Sequence, residues 1–130
     1  MAGPPPRQLQ GPQGVTVDAS GNLVMADGDR IRVVAANSGT FYGQAMTAGV
    51  VYTVAGDGAS TYAGDGGPAT SAALDAPNGV AVDGSGKLVI ADTGNERVRV
   101  VATTSGTFYG QAMTAVTSTR WPATGVGLLR

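Results

Sequence analysis

The hydrophobic positions of this chain fall in short aliphatic runs, not in helical stripes. Residues 14–17, 23–26, 31–34 and 50–54 are rich in β-branched side chains and are separated by Gly, Asp, Asn and Ser. Runs of that kind, about five residues long with turn formers between them, predict β-strands. The segments Asp18-Ala19-Ser20-Gly21-Asn22 and Asp83-Gly84-Ser85-Gly86-Lys87 each place Gly where a tight hairpin needs positive φ. Asp27-Gly28-Asp29 and Asp92-Thr93-Gly94-Asn95-Glu96 read as the next reversals. The strands after them run Arg-x-Arg-Val-Val, so two-residue alternation sets both arginines on one face and Ile31 or Val98 on the other. With residues 50–54 as a fourth strand, the first half of the chain is a complete antiparallel meander. The predicted fold class is all-β.

The pattern repeats. Gly14-Val15-Thr16-Val17-Asp18 matches Gly79-Val80-Ala81-Val82-Asp83, and Asn22-Leu23-Val24-Met25-Ala26-Asp27 matches Lys87-Leu88-Val89-Ile90-Ala91-Asp92, both at an offset of 65. Arg30-Ile31-Arg32-Val33-Val34 matches Arg97-Val98-Arg99-Val100-Val101 at 67, so the second copy carries two extra turn residues. Residues 38–48 and 105–115 both read SGTFYGQAMTA, an identity that points to duplication. The expected organisation is a Pro-rich tail over 1–8 and a first unit over 9–56. A Gly/Ala-rich surface crossover follows over 57–76, with a helix-like fragment at 68–74, then a second unit over 77–119 and a tail over 120–130. Nothing after Ala115 repeats the fourth strand of the first unit, which leaves 116–121 as its only replacement.

Composition narrows the chemistry. Gly is 21 of 130 residues and charged residues are 13%, which suits turn-rich β structure better than exposed helix. The formal net charge is −1, with one Lys and seven scattered Arg, so no basic block would neutralise a row of phosphates and nucleic acid is not an expected partner. Gly, Asp or Arg interrupts every Val-rich segment, so none reaches the ~20 residues of a membrane helix, and residues 1–10 carry no apolar run of a signal peptide. There is no Cys and no His. A disulfide framework, thiolate metal sites and the usual neutral-pH base are therefore excluded together. Neither an enzyme activity nor a cofactor is expected of this chain.

The run Ala55-Gly56-Asp57-Gly58, Gly64-Asp65-Gly66-Gly67-Pro68-Ala69-Thr70, Ala76-Pro77-Asn78-Gly79-Val80-Ala81-Val82-Asp83 resembles the NHL repeat in its long bacterial form. Leu88-Val89-Ile90-Ala91-Asp92-Thr93-Gly94-Asn95-Glu96-Arg97-Val98-Arg99 is similar to the same repeat. The resemblance implies propeller blades, two of them here and so an incomplete ring. It also implies a family whose members include secreted or surface-displayed proteins, receptor-kinase sensor domains, RNA-binding regulators and a few lyases. A fragment of a longer protein, a unit that self-associates to close a ring, and a truncated reading frame all fit two blades. An extracellular or cell-surface setting is suggested by the resemblance alone.

Asp18, Asp27, Asp83 and Asp92 stand at equivalent strand ends. As metal ligands or acid/base groups they would do chemistry, but repetition in each unit suits turn carboxylates that accept backbone N–H bonds. Arg30, Arg32, Arg97 and Arg99 would line an anionic groove or pair with those aspartates across neighbouring strands. The Gly-rich segment at 57–67 holds only two carboxylates, too few for calcium, and lacks the Gly-Lys-Ser/Thr ending of a phosphate loop. Phe41, Tyr42, Phe108 and Tyr109, with Arg32 and Arg99, make the candidate interaction surface, against the alternative that the aromatics pack the outer edge of each blade. Trp121 lies outside the repeat. The expected function is a non-enzymatic scaffold that binds a protein, peptide or glycan. A propeller lyase or hydrolase with its active residues on other blades, and an RNA-binding domain disfavoured by charge, are the alternatives.

Overall fold

The computed structural model describes residues 9–63 and 68–113. Strands β1 (Pro12–Val17), β2 (Leu23–Asp27) and β3 (Arg30–Val34) are followed by the short pair β4 (Gly39–Phe41) and β5 (Gln44–Met46), and then by β6 (Val51–Ala55). The second copy repeats this as β7 (Gly79–Val82), β8 (Leu88–Asp92), β9 (Arg97–Val101), β10 (Gly106–Phe108) and β11 (Gln111–Met113). The first blade is a four-stranded antiparallel sheet in the order β1-β2-β3-β6, and the second is β7-β8-β9. The described residues are thus all-β, built of propeller-type blades without closure into a ring.

Three details differ from the expectation. The SGTFYGQAMTA stretch, which carries no strand signal of its own, forms a separate two-stranded hairpin in each copy, inserted between the third strand and the place of the fourth. The outer strand β6 begins one residue later than expected, at Val51. The helix-like fragment at 68–74 shrinks to a single 3-10 turn, Ala69–Ser71, because Pro68 and the extended Ala72 bound it tightly. A replacement strand at 116–121, both tails and Trp121 lie outside the described residues. The two-residue change of period is where the turn chemistry placed it. Asp27 and Arg30 face each other across Gly28 and Asp29, whereas Asp92 and Arg97 are separated by a 3-10 turn, Thr93–Asn95, with Glu96 left-handed at φ 53°.

The second half of the crossover is not a surface connection, although the described residues from 57 to 63 are largely exposed as expected. Ala69, Ala72, Ala73 and Leu74 are all buried, and Leu74 enters one core with Val24, Ala26, Ile31, Val33 and Val54 of the first blade and Leu88, Ile90 and Val101 of the second. Backbone bonds fasten it to the end of β6, from Gly56 N–H to the Ala69 carbonyl (3.0 Å) and from Asp57 N–H to that of Ala72 (2.8 Å). Gly56 sits at φ 90°, where an added Cβ would lie 2.5 Å from the Asp29 carbonyl oxygen, so only Gly permits this approach. The Asp29 carboxylate accepts from Ala76 N–H (2.9 Å) and from the Ser60 hydroxyl, tying the crossover to the first blade's turn.

The second blade holds the other side of the crossover with a buried ion pair. Arg99 Nη1 lies 3.0 Å from Asp92 Oδ2, both side chains at 0% exposure. Arg99 also donates to the carbonyls of Ala73 (2.6 Å) and Ala63 (3.0 Å), while Asp92 accepts from Asp75 N–H and Asn95 Nδ2, both at 2.8 Å. The first blade has the same pair, Arg32 Nη1 to Asp27 Oδ2 at 3.3 Å, and Asp27 Oδ1 takes the N–H groups of Gln10 and Gly11 at 2.7 Å each. Removing one member strands the other charge in the interior, which typically costs about 3–5 kcal/mol. Asp92→Ala is therefore expected to lower urea-unfolding stability by about that amount. A loss below about 1 kcal/mol would show that the pair does not hold the crossover.

Candidate functional site

The two hairpins carry the candidate aromatics at their tips. In Phe41-Tyr42-Gly43-Gln44 both central residues have positive φ, 52° and 75°, and Tyr109 and Gly110 repeat this at 51° and 75°. Positive φ at both positions marks the type I′ hairpin turn, which ordinarily selects Asn, Asp or Gly. A Tyr there costs about 1–2 kcal/mol of backbone strain and persists only where its surroundings fix it. The fixing group is an aspartate on the neighbouring turn. Tyr42 donates its hydroxyl to Asp18 Oδ2 at 2.7 Å, and Tyr109 donates to Asp83 Oδ2 at the same distance.

Each aspartate also organises its own turn. Asp18 Oδ1 accepts from Ser20 and Asn22 N–H at 2.9 Å, and Asp83 Oδ1 accepts from Ser85 and Lys87 N–H at 2.9 Å. The turn joining the first two strands and the hairpin tip are therefore locked through one carboxylate in each copy. Asn22 Nδ2 adds a bond to Asp18 Oδ2 (3.0 Å) in the first copy, and Asn22 Oδ1 accepts from Ala36 N–H (2.9 Å). In the second copy Lys87 takes that position, with Nζ 3.4 Å from Asp83 Oδ2 and 3.7 Å from the centre of the Phe108 ring. Asn22 and Lys87 are site residues that sequence reasoning passed over. Their signal was the fixed spacing of four after each aspartate.

Burial pushes the Asp18 carboxyl up, but hydrogen bonds from Tyr42, Asn22 and the Ser20 backbone outweigh it and hold its pKa below the ordinary 3.8. Asp83 is lowered by the same balance, with burial opposed by Tyr109, the backbone of Lys87 and Ser85, and the Lys87 charge. The Tyr42 phenol is pushed far above its ordinary 10.0 by burial first and by Asp18 second. Tyr109 is raised mainly by its hydrogen bond to Asp83. Phenol and carboxylate stay, respectively, protonated and ionised throughout the neutral range, so the pair acts as a latch and not as a proton-transfer dyad.

Between the locked parts lie two open grooves. One, of about 230 Å³, is walled by Asp18, Ser20, Thr40, Phe41 and Tyr42 of the first copy and reaches Thr103 of the second. The other, of about 420 Å³, is lined by Asp83, Ser85, Lys87, Thr107, Phe108 and Tyr109. The aromatics of the expected surface thus stand in two separate grooves with hydroxyls, while Phe41 and Tyr42 also pack against the shared core and Phe108 against the cluster of Val100, Ala102 and Met113. Arg32 and Arg99, grouped with them from the sequence, do not: they are buried at 1% and 0% exposure and engaged by Asp27 and Asp92, so they cannot form part of an accessible surface. Asp18 and Asp83 cap their own turns, while Asp27 and Asp92 point inward and receive backbone N–H groups of the preceding segment, because an arginine two strand positions beyond the turn draws them in. Tyr62, unremarked in the sequence, stacks on Arg97 (3.9 Å) and Arg99 (4.6 Å). Among the described residues no group of three or more His, Cys, Asp or Glu is placed to hold a metal ion.

An antiparallel meander repeated with its turn carboxylates, crossover and inserted hairpin defines this molecule as a blade protein of the propeller class. Residues 74–101 match the family model of the NHL repeat, and the chain carries that repeat. It is also 31% identical over 104 residues to teneurin-1 of Homo sapiens, an alignment covering 72% of this chain and 4% of teneurin-1, so the chain spans a small fraction of that relative's length.

If the latch is a coupled unit, Tyr42→Phe and Asp18→Asn should each cost about 1–2 kcal/mol, and the double variant little more than either. Additive losses in denaturant unfolding would refute the coupling. The pH dependence follows from the shifts. Asp18's folded pKa is depressed, so its contribution is complete above the unfolded value near 3.8 and disappears as pH falls through the lower folded value. Tyr42's is raised, so its contribution is complete below about pH 10 and disappears as pH rises through the raised value. The stability gap between wild type and Tyr42→Phe should therefore be flat between about pH 5 and 9 and narrow on either side.

Proposed function

We propose that this chain is a non-enzymatic binding scaffold whose hairpin rim engages a protein, peptide or glycan. The observation that carries the reading is the duplication of one presented element. Two hairpins identical over eleven residues are each locked by the same Tyr–Asp bond, and each borders an open groove of hydroxyls and an aromatic ring. A rigid aromatic tip with neighbouring hydroxyls offers contact area at little entropic cost, which suits recognition. The grooves are shallow and open, a shape that fits surface contact better than the enclosure of a small substrate. The carboxylates there are fixed in the ionised state, which supports a role in holding shape and not in moving protons.

The reading is tested by probing the labelled chain against peptide and glycan arrays, with Thr40→Glu, Thr107→Glu and the double variant beside it. Thr40 and Thr107 are exposed on the hairpins and take no part in the latch. A ligand bound through the rim should lose about tenfold in affinity with each single change, a loss of about 1.4 kcal/mol. A ligand whose binding survives the double variant would place recognition elsewhere.

A further inference from the structure

The two blades are copies, so each residue at the contact between them has an equivalent on an outward face. On the second blade, Val82 opposite Leu88 and Val80 opposite Ile90 turn toward the first blade, with Leu88 and Ile90 at 0% exposure and both valines packed on the shared core. Their first-blade equivalents, Val17 opposite Leu23 and Val15 opposite Met25, include three of the exposed large hydrophobics of the molecule. Val15 is 60% exposed, Val17 58% and Leu23 42%. On the other side of the contact the first blade presents Ile31, fully buried, whose second-blade equivalent Val98 is 40% exposed. The molecule therefore has two unlike apolar faces, and the contact inside it joins one face of each kind.

We infer that the Val98 face of one chain docks on the Val15, Val17 and Leu23 face of a second copy, head to tail, reproducing the inter-blade contact between molecules. The second copy is the occupant because the complementary surface is already present, and already filled in this way, within the chain. A contact between unlike faces is heterologous: it adds chains until the ring closes or a face is capped. An apolar patch of adjacent strand residues is the kind of surface that water drives into such contact. The site is separate from the hairpin rim, so the two proposals stand or fall independently.

The test uses Leu23→Asp and Val98→Asp, each on an exposed position, with circular dichroism to confirm the β fold and light scattering to read mass. Wild type should form assemblies of more than one chain, and each variant alone should have one intact face and remain at 12.9 kDa or shift its dissociation constant upward by at least about a hundredfold. Mixed in equal amounts, the two should form a complex of two chains, since the Leu23→Asp chain keeps its Val98 face and the Val98→Asp chain keeps the other. Val15→Asp serves in place of Leu23→Asp if that variant loses its fold. Wild type that stays monomeric at about 100 μM, or folded variants that do not combine on mixing, would overturn the inference.

Discussion

The seating of the second blade on the crossover hangs on a charge pair buried away from water. Asp92 and Arg99 are both at 0% exposure, and their bonding capacity is spread over further groups, among them the N–H of Asp75, the amide of Asn95 and the carbonyls of Ala63 and Ala73. A buried ion pair is seldom a strong source of stability, since desolvation consumes most of the Coulomb gain. Its value here is uniqueness. The observed placement of the crossover satisfies both charges, and it carries Leu74 into the core. Without the pair, an Ala-rich segment with a single large apolar side chain would have little to distinguish one seat from another.

The inter-blade contact follows from the same arrangement. With the crossover fixed to Asp29 on one side and to Asp92 and Arg99 on the other, the first blade's Ile31 face and the second blade's Leu88 face are held together. One sequence pattern thus yields opposite burials at equivalent positions, Leu88 inside and Leu23 at 42% exposure, Ile31 inside and Val98 at 40%. The difference lies in what each face meets and not in the residues. A blade is a unit designed to be covered on both sides, and burial here reports the neighbour more than the local sequence.

The strands were legible because their physics is local. Alternation, β-branched runs and Gly-bearing turns fix β1 to β3 and β7 to β9 to within a residue or two, and the offset of 65 then 67 located the longer turn after Asp92. The hairpins were not legible, since Phe-Tyr-Gly-Gln lacks the Asn-Gly or Asp-Gly signal of a type I′ turn. Tyr42 adopts its left-handed conformation only because Asp18, far along the chain, receives its hydroxyl. The four aspartates looked alike in sequence for a related reason. What separates Asp18 from Asp27 is the partner each meets, a tyrosine in one case and an arginine in the other, and no spacing within the turn encodes that choice. The burial of Ala69, Ala72, Ala73 and Leu74 has no signal in the sequence, because alanines among Gly, Ser and Thr give no periodicity from which burial can be inferred.

The chain therefore divides its polar groups between two tasks that the sequence interleaves. The inner carboxylates, Asp27 and Asp92, are paired with buried arginines, and Asp27 holds the segment before β1 while Asp92 holds the crossover. The outer ones, Asp18 and Asp83, hold hairpin to turn at the rim, where Tyr42 and Tyr109 fix the tips against the sheet edge. A hairpin of three-residue strands is marginal by itself, and its position relative to the blade would otherwise drift. The latch converts it into an extension of the scaffold, so that Phe41, Thr40 and their second-copy equivalents Phe108 and Thr107 are presented at fixed spacing. For the binding role proposed above, such rigidity would mean that a ligand meets a surface whose ordering cost has been met in folding.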